Sequence, residues 1–399
     1  MIDIHNYEKG LVTAENAVRK SNLSERNKEI ILKFEDHIIT LGLSKPRTIK
    51  YLNNLRMLAS WLEIDFDKAT KDDIKRVVKK IKVREDYSAW TKHGYCVIIK
   101  RFYKWLYGND EEYPKEVNWI TNHVKKKDLK LPGEGDLLTE DDVKRMIKAA
   151  KHPRDKALIA VLYESGCRIG EIASLQMKHV TIDKHGVLLT VFGKTGSRKI
   201  RIITTTTYLM TWLECHELRD DKEAPLWLNR DLRKKTRETF LSYRAISELL
   251  KTILKDADIK KRVYPHLFRH SRATMLANHL TEFQMNQYFG WAQGSNMPST
   301  YVHLSGRDLD GALLKLNGLE YNQEESKEST FKPRKCPRCM TLNGHDSSYC
   351  KQCSAILDEK LKIEMEQKRD VRDQMDKMMD MLMQDKAFRK VVVEKMNNL

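Results

Sequence analysis

The first part of the chain repeats apolar residues at helical spacing. Between residues 24 and 108, four stretches place them every three or four positions, as the buried face of an α-helix requires. Turn and capping residues mark the ends: Gly42 follows the first stretch, Pro46 opens the second, Thr70 precedes the third and Gly108 follows the fourth. The pattern predicts four short helices that pack into one bundle.

The middle of the chain combines helical patterns with β-branched runs. Thr139 and Asp142 have the spacing of a capping box, which starts a helix. Between His179 and Thr204, apolar β-branched residues are interrupted by two turn sequences, and the second turn carries Lys194. We therefore expect a small antiparallel sheet among helices, with Lys194 on a tight turn. Helical patterns surround the sheet at residues 140–150, 154–165, 206–218 and 236–254.

Two Cys-x-x-Cys pairs follow a polar stretch near the end of the sequence. They are Cys336 with Cys339 and Cys350 with Cys353, and ten residues separate them. Four thiolates at this spacing can surround a tetrahedral zinc ion, and a pair of redox dithiols is the alternative. Because the segment is too short to bury a core, zinc would supply most of its folding free energy. His345 is a further candidate ligand that a four-thiolate site does not require.

The last stretch, residues 355–399, has the pattern of one long helix. Its apolar residues Val371, Met375, Met378 and Leu382 follow a 4-3-4 spacing that suits a helical partner. Methionine-rich stripes of this kind are frequent at contact surfaces. Self-association through this helix is one hypothesis, and packing onto the rest of the same chain is the other.

These patterns predict a mainly α-helical fold with a mixed α+β central domain. The basic run and the glycines before the capping box are typical of a linker between domains. The expected segments are an N-terminal segment (1–22), a helical core domain (23–122), a linker (123–137), a central domain (138–318), a second linker (319–334), a four-cysteine zinc ribbon (335–354) and a C-terminal helix (355–399).

The chain is strongly basic, with a formal net charge of +17 at pH 7. A charge of this size favours a polyanionic partner such as nucleic acid, and a merely solubilising surface is the alternative. In the first interpretation, basic residues of the helical bundle contact phosphates. Each of them alone also fits a solvated helix face. These residues are Lys45, Arg47, Lys50, Lys75, Arg76, Lys79, Lys80, Lys100, Arg101 and Lys104.

Hydropathy and cysteine usage bear on the compartment. No apolar run approaches the ~20 residues of a membrane span, and no signal sequence opens the chain. We therefore expect a cytoplasmic protein without a membrane partner. Four of the seven cysteines lie in the two pairs, which favours metal binding over disulfides. The isolated Cys96, Cys167 and Cys215 are interpreted as packing residues.

Arginines in two motifs are candidates for binding one anion. His266 and Arg269 form an H-x-x-R pair, whose members share one face of a helix. Arg168 lies between two glycines, and Glu171, one helical turn later, is placed to hold its guanidinium. Arginine is a planar two-pronged donor to anions, and histidine adds a third donor. Taken alone, each motif also fits a basic helix face.

In their order along the chain, these residues resemble the catalytic set of the tyrosine recombinases of the phage-integrase family. The family pattern is an arginine in G-x-R-x-x-E, a lysine on a β-turn, H-x-x-R, a histidine or tryptophan, and a tyrosine. Trp291 stands where most members have histidine. The interval from Gly290 to the tyrosine is one residue longer than usual, and His303 nearby is a lesser candidate donor. The resemblance covers residues 138–318 and assigns these roles to Arg168, Glu171, Lys194, His266, Arg269, Trp291 and Tyr301.

The resemblance implies both a fold and a chemistry. The helical bundle would be a SAM-like domain that grips the DNA duplex opposite the catalytic domain. Tyr301 would attack a phosphodiester to give a 3′-phosphotyrosine, while the two arginines, His266 and Trp291 stabilise the charge of the transition state. Lys194 would protonate the departing 5′-oxygen, and Glu171 would orient its neighbours. Catalysis would need no cofactor.

The activity implied by the resemblance is site-specific recombination. Its partner is double-stranded DNA at a specific site, bound by a homo-tetramer that is a monomer or dimer when free, and strands are exchanged through a Holliday junction. The zinc-ribbon tail is similar to those of some archaeal integrase-like proteins and favours an integrase over a dimer-resolving enzyme. A type IB topoisomerase-like enzyme and a catalytically inactive DNA-binding regulator are the alternatives. The complete set of candidate residues argues against the inactive regulator.

Overall fold

The computed structural model divides into two units. One comprises residues 3–132, and the other comprises residues 133–399 with the first two residues. Several predicted segments lie partly outside the described residues, namely 125–131 of the first linker, 319–332 of the second, 305–315 of the central domain and 385–399 of the terminal helix. The described residues are 2–108, 112–124, 132–229, 236–304, 316–318, 333–345, 347–350 and 352–384.

The first unit is helical throughout its described length. The four predicted helices are confirmed, with Pro46 in the first turn of one, a Thr70–Asp73 capping box on the next and Gly108 just after the last. An additional helix was not predicted, because residues 1–22 were expected to be weakly specified. The helices are α1 (Tyr7–Arg19), α2 (Glu25–Thr40), α3 (Lys45–Leu62), α4 (Lys71–Val83) and α5 (Ala89–Leu106).

Aromatic rings fill the centre of this unit. Phe102 of α5 meets Phe34 and Phe66 edge to face, with ring centroids 5.2 and 4.6 Å apart. Such T-shaped pairs stabilise a core beyond the area they bury. Tyr95 and Tyr103 of α5 are also buried. Trp90, in the first turn of α5, is exposed.

The ten basic residues of this unit differ in their surroundings. Those of α5 are half-buried, and Lys100 lies 4.2 Å from the centroid of the Tyr113 ring. Those of α3 and α4 are exposed. Within the described part of the chain, Arg47, Lys50 and Lys79 form no ion pair. Of the ten predicted contact residues, those that are exposed therefore lie on α3 and α4.

The second unit contains a cluster of helices around a small sheet. Its first helix begins at the predicted Thr139–Asp142 capping box, which is confirmed. The two helices predicted after the sheet are confirmed with different ends, since the first stops at Glu214 and the second begins at Tyr243. The helices before the C-terminal ribbon are α6 (Glu140–Ala149), α7 (Pro153–Ser165), α8 (Ile169–Ala173), α9 (Thr206–Glu214), α10 (Tyr243–Asp256), α11 (Pro265–Ala277), α12 (Glu282–Phe289) and α13 (Met297–Leu304).

The predicted antiparallel sheet is confirmed. Strands β1 (Val180–Asp183), β2 (Gly186–Gly193) and β3 (Gly196–Ile202) pair in sequence order. Gly193 pairs with Gly196, so Lys194 lies on the predicted tight turn. The buried Glu164 of α7 fixes the exit from β3, because its carboxylate accepts hydrogen bonds from three successive backbone amides, residues 203–205, at 2.7–2.9 Å.

The C-terminal part consists of a small ribbon and a helix. Strands β4 (Arg334–Lys335) and β5 (Leu342–Asn343) are antiparallel, and helix α14 (Glu359–Gln384) follows. The predicted long helix is thus confirmed over its described residues. Apart from Leu361, every side chain described on α14 is exposed, including the methionines of the predicted stripe, so these side chains are not buried against the described part of the chain. None of the described helices is long and apolar enough to cross a membrane.

Candidate active site

A carboxylate joins two arginines at the start of helix α8. Glu171 is almost fully buried and accepts hydrogen bonds from the backbone amide and the Nη1 of Arg168, both at 3.0 Å. Arg198 of β3 donates to both oxygens of the same carboxylate, at 3.1 and 2.7 Å. Burial raises the pKa of Glu171, but the hydrogen bonds and charges of Arg198 and Arg168 outweigh burial and hold it below its ordinary value. The carboxylate is therefore ionised at neutral pH and orients both guanidinium groups.

Arg269 of α11 is buried, and no carboxylate among the described residues forms an ion pair with it. Its Nη1 donates to the carbonyl of Gly166 at 3.3 Å and its Nη2 to the carbonyl of Phe289 at 2.8 Å. The guanidinium also lies 5.2 Å from the centroid of the Trp291 ring. Burial and the charge of Arg168 lower the pKa of Arg269 to about 10, which leaves it cationic at neutral pH. Arg168 and Arg269 thus belong to one site.

Tyr301 of α13 is stacked inside the same site. Its ring is parallel to that of Trp291 within 8°, with centroids 5.5 Å apart, and the side chain is fully buried. Burial raises the pKa of its phenol, and the charge of Arg269 opposes this rise. The ring of Trp291 therefore lies against the guanidinium of Arg269 and stacks on the phenol. The indole of Trp291 therefore lines the site.

Two histidines of α11 lie beside the tyrosine. His266 and His270, one turn apart, meet edge to face with ring centroids 4.7 Å apart. The Tyr301 hydroxyl and the Nδ1 of His270 are 2.9 Å apart, at hydrogen-bonding distance. Burial and the charges of Arg269 and Arg168 lower the pKa of His266. It is therefore a neutral hydrogen-bonding group at pH 7.

The turn that carries Lys194 is fastened to this site by its neighbours. Thr195 donates to the carbonyl of Gly290 at 3.3 Å, and Arg198 donates to the carbonyl of Tyr288 at 2.8 Å. A Cβ at Gly193 would lie 2.5 Å from the Glu171 carboxylate, so only glycine fits there. Lys194 itself is exposed at the tip of the turn.

Comparisons with known proteins point to one group of enzymes. The profile of the phage integrase family matches residues 136–307. Tyrosine recombinase XerD of Oceanobacillus iheyensis is 26% identical over 271 residues, which cover 64% of this chain and 84% of the relative. Tyrosine recombinase XerA of Pyrococcus horikoshii is 26% identical over 299 residues, which cover 74% of this chain and 95% of the relative. Together these matches support a tyrosine recombinase that is similar to the phage integrase family.

Solved structures share the fold of this chain at low identity. XerH site-specific recombinase bound to a palindromic difH substrate superposes with a TM-score of 0.52 at 15% identity, covering 79% of this chain and 98% of XerH. A lambda integrase tetramer bound to a Holliday junction gives a TM-score of 0.52 at 14% identity, covering 71% and 78% of the two chains. At these identities the likeness is one of fold.

Two residues of the site were not predicted from the sequence. Arg198 bonds Glu171 from β3, and nothing in the sequence pairs a strand residue with that carboxylate. His270 was passed over because it follows the H-x-x-R motif. Its spacing from His266 is four residues, which puts both on one face of α11, and this signal was available. The side chain of His303, the lesser candidate donor, lies outside the described part of the chain.

Cysteines elsewhere in the chain fall into three groups. Cys96 and Cys167 are buried as predicted, and burial raises the pKa of both thiols, which makes them poor nucleophiles. Cys215 was wrongly interpreted as a packing residue, because it follows the end of α9 and is exposed. The four thiols of the ribbon lie within 4.8 Å of one another and could hold a metal ion: Cys336, Cys339, Cys350 and Cys353.

Proposed function

We propose that this chain is a site-specific DNA recombinase that cuts and rejoins strands through a 3′-phosphotyrosine at Tyr301. The observation that carries the proposal is the continuity of the site. Arg269 bonds the carbonyl of Gly166, two residues before Arg168, and its guanidinium lies against Trp291, on which Tyr301 stacks. Two cations and a phenol are thereby within reach of one phosphate.

Phosphodiesters are poor electrophiles because their negative charge repels nucleophiles. Arg168 and Arg269 neutralise the non-bridging oxygens and stabilise the additional charge of the five-coordinate transition state. Glu171 keeps the Arg168 guanidinium oriented before DNA arrives. His266 and Trp291 add hydrogen-bond donors to the same oxygens. These groups favour the transition state over the bound substrate, which is what accelerates cleavage.

The two bridging oxygens need different partners. The phenolic oxygen of Tyr301 forms the bond to phosphorus, and the bond from phosphorus to the 5′-oxygen breaks. Lys194 donates a proton to that departing oxygen from the β2–β3 turn. The phosphotyrosine ester retains the energy of the original phosphodiester, so a 5′-hydroxyl from another strand can reverse the step. Strand exchange follows without an external energy source.

We also propose which segment binds DNA and which performs the chemistry. The helical domain at residues 23–122 binds the duplex through the exposed basic residues of α3 and α4, and residues 138–318 perform the chemistry. Phosphate contacts of this kind give affinity without sequence choice. The lambda integrase tetramer on a Holliday junction supports assembly of this chain into a homo-tetramer on DNA.

Zinc is the metal that we propose for the ribbon. The Sγ atoms of Cys336 and Cys353 are 3.6 Å apart, and those of Cys339 and Cys350 are 3.4 Å apart. A tetrahedral zinc site with ~2.3 Å bonds to sulfur requires edges of about 3.8 Å. The amide of Asn343 donates to the Cys350 sulfur at 3.6 Å, which favours the thiolate form. In this proposal zinc stabilises the ribbon and takes no part in cleavage.

A nicked suicide duplex tests the cleavage chemistry. Cleavage next to a nick releases a short oligonucleotide, so the covalent protein–DNA adduct accumulates. We expect an adduct with the unmodified protein and none with Tyr301→Phe. Sites for the duplex come from selection of bound sequences. Absence of a Tyr301-dependent adduct would refute the proposal.

Plasmids separate recombination from simple cleavage. A plasmid with two target sites should yield exchanged products, and a plasmid with one site should remain unchanged in sequence. Relaxation of supercoils with one site and no exchange with two would identify a topoisomerase-like enzyme instead.

A further inference from the structure

His270 occupies a position that the roles proposed above leave without a function. Its Nδ1 is 2.9 Å from the hydroxyl oxygen of Tyr301, the atom that bonds to phosphorus in the proposed reaction. Its ring also meets that of His266, with centroids 4.7 Å apart. Among the side chains that the structure describes, His270 alone is hydrogen-bonded to this hydroxyl.

The imidazole of His270 is neutral and has a ring nitrogen placed to accept a hydrogen bond from the phenol. Burial, followed by the neighbouring His266 and Arg269, lowers the pKa of His270 to about 4, so the ring is neutral at pH 7. A neutral imidazole has one unprotonated nitrogen, and with the proton on Nε2 that nitrogen is Nδ1. Nδ1 then accepts the hydrogen bond that Tyr301 donates.

The tyrosine in turn needs an acceptor. Burial raises the pKa of Tyr301, so the phenol keeps its proton at neutral pH. That proton must leave as the oxygen bonds to phosphorus, because a phosphotyrosine ester carries none. Lys194 is exposed on its turn and has the opposite task at the 5′-oxygen. The two proton transfers therefore require two groups.

Other charged and titratable groups surround this pair and do not replace it. Tyr264 and Arg269 act on the pKa of Tyr301 through their charge, and Arg168 acts on that of His266. Helices α7 and α12 pack on α11, and the charge of Arg272 on α11 acts on Tyr163 and Tyr288 of these two helices. None of these groups is hydrogen-bonded to the Tyr301 hydroxyl in the described part of the chain.

We propose that His270 is a catalytic residue that holds the Tyr301 hydroxyl and takes its proton as the phenolic oxygen attacks phosphorus. This inference rests on the proposed cleavage reaction. The O–H bond of Tyr301 breaks, its proton moves to Nδ1, the new O–P bond forms, and the 5′-oxygen leaves with a proton from Lys194. In the reverse step, the imidazolium returns its proton to the departing phenolate, which restores the starting state.

The variant His270→Asn tests this role, since its side-chain amide can still hydrogen-bond the phenol but cannot take a proton at neutral pH. Single-turnover adduct formation on the suicide duplex, with saturating protein, should slow by about 100-fold or more, as for other general bases. Its rate should also rise about tenfold per pH unit from pH 6 to 8, because the phenol must then ionise into solvent. The unmodified protein should change little over that range, since His270 is already neutral.

Controls separate this role from a structural one. His279→Asn, an exposed histidine beyond the end of α11, should match the unmodified protein in rate and pH profile. Both variants should bind the duplex equally well and melt at similar temperatures. If His270→Asn does not fold, His270→Gln is measured in the same way. A His270 variant that is folded and forms adduct at the normal rate, with a flat pH profile, would overturn the inference.

A substrate with sulfur in place of the bridging 5′-oxygen shows which proton transfer is impaired in His270→Asn. A thiolate leaves without a proton, so this substrate relieves a fault on the leaving side only. We expect His270→Asn to remain slow on it. Restoration to the normal rate would place His270 on the leaving side and overturn its assignment to Tyr301. Failure of the cleavage proposal itself has another signature, namely no Tyr301-dependent adduct in the unmodified protein.

Discussion

Side chains in this site make contacts that only their own residue type can make, and Arg269 is the example. Arg269 spans two backbone carbonyls, of Gly166 and Phe289, and presents a flat face to the ring of Trp291. A guanidinium can meet these requirements at once because its donors lie in one plane. An ammonium group cannot, although it has the same charge.

Arg269→Lys therefore tests shape at constant charge. We expect adduct formation to fall by about 100-fold or more, as when one preorganised donor to a transition state is removed. DNA affinity, which depends on charge and on the basic helices, should change less than about threefold. The matched control is Arg272→Lys on the same helix. A normal adduct rate in Arg269→Lys would show that charge alone is sufficient.

Glu35 in α2 is a buried carboxyl outside the proposed active site. It is almost fully buried, and its Oε1 has no hydrogen-bond partner among the described residues. Burial and the charge of Glu15 raise its pKa to about 7 from 4.5. Between those two values the folded state binds more protons than the unfolded state, so the free energy of unfolding falls as pH rises.

Glu35→Gln should remove that pH dependence. At pH 8 the variant should be more stable than the unmodified protein by about 2 kcal/mol, and at pH 4.5 the two should be nearly equal. Denaturant unfolding of the full chain, followed by tryptophan fluorescence, measures the difference. Glu25→Gln, at an exposed position of the same helix, is the control and should have little effect at either pH. Equal stabilities of the Glu35 variant and the unmodified protein at pH 8 would contradict the account.

At the scale of elements, the β2–β3 hairpin is part of the site and not merely its neighbour. Arg198 fastens β3 to the Glu171 carboxylate and to the carbonyl of Tyr288 at the end of α12. A Cβ at Gly290 would lie 2.8 Å from that guanidinium, so the loop after α12 packs closely on the hairpin. The turn with Lys194, the start of α8 and the loop with Trp291 are thereby held in one arrangement.

Arg198→Met should loosen this arrangement while it preserves most of the buried volume. We expect adduct formation to fall at least tenfold with nearly unchanged DNA affinity, because the proposed proton donor and Arg168 lose their fixed positions. Arg201→Met changes an arginine of the same strand that pairs with Asp183 and is the matched control. Equal rates in the two variants would show that the Arg198 contacts do not position the site.

The sequence predicts an element well when the interactions that define it join residues that are close together along the chain. Capping boxes at Thr70 and Thr139 act within four residues, and they located their helices correctly. Helix α1 was missed because it buries little more than Ala14 and Val18 and contains Gly10, so its apolar pattern is faint.

In the site, too, local motifs could be predicted and contacts between distant residues could not. Motif order identified the candidate residues, but Arg198 contacts Glu171 across 27 positions, and no local pattern encodes that contact. The stacking of Tyr301 on Trp291 likewise depends on how α13 packs against the loop after α12. Such contacts arise from tertiary packing, which a single sequence does not display.

At the scale of the whole molecule, the reactivity of the cysteine thiols tests the metal site of the ribbon separately from the rest of the chain. In the metal-bound protein only Cys215 is exposed and free of metal, since Cys96 and Cys167 are buried. A thiol reagent should therefore modify Cys215 quickly. A zinc chelator should release the four ribbon thiols, which then react as well, with zinc appearing in solution. Fast reaction of the ribbon thiols before chelation would argue against a metal site.

The charges around Glu171 have a thermodynamic consequence for the chain. Arg168 and Arg198 share that one carboxylate, and Arg269, whose pKa burial and the charge of Arg168 lower, has no ion-pair partner among the described residues. Folding must therefore bring these three cations close to the one carboxylate described there, and their mutual repulsion opposes it. A phosphate that binds there relieves the repulsion, so substrate recognition and cohesion of the catalytic unit are energetically coupled. The catalytic unit is therefore less stable without DNA than with it, because the phosphates of bound DNA supply negative charge that offsets the repulsion between the arginines.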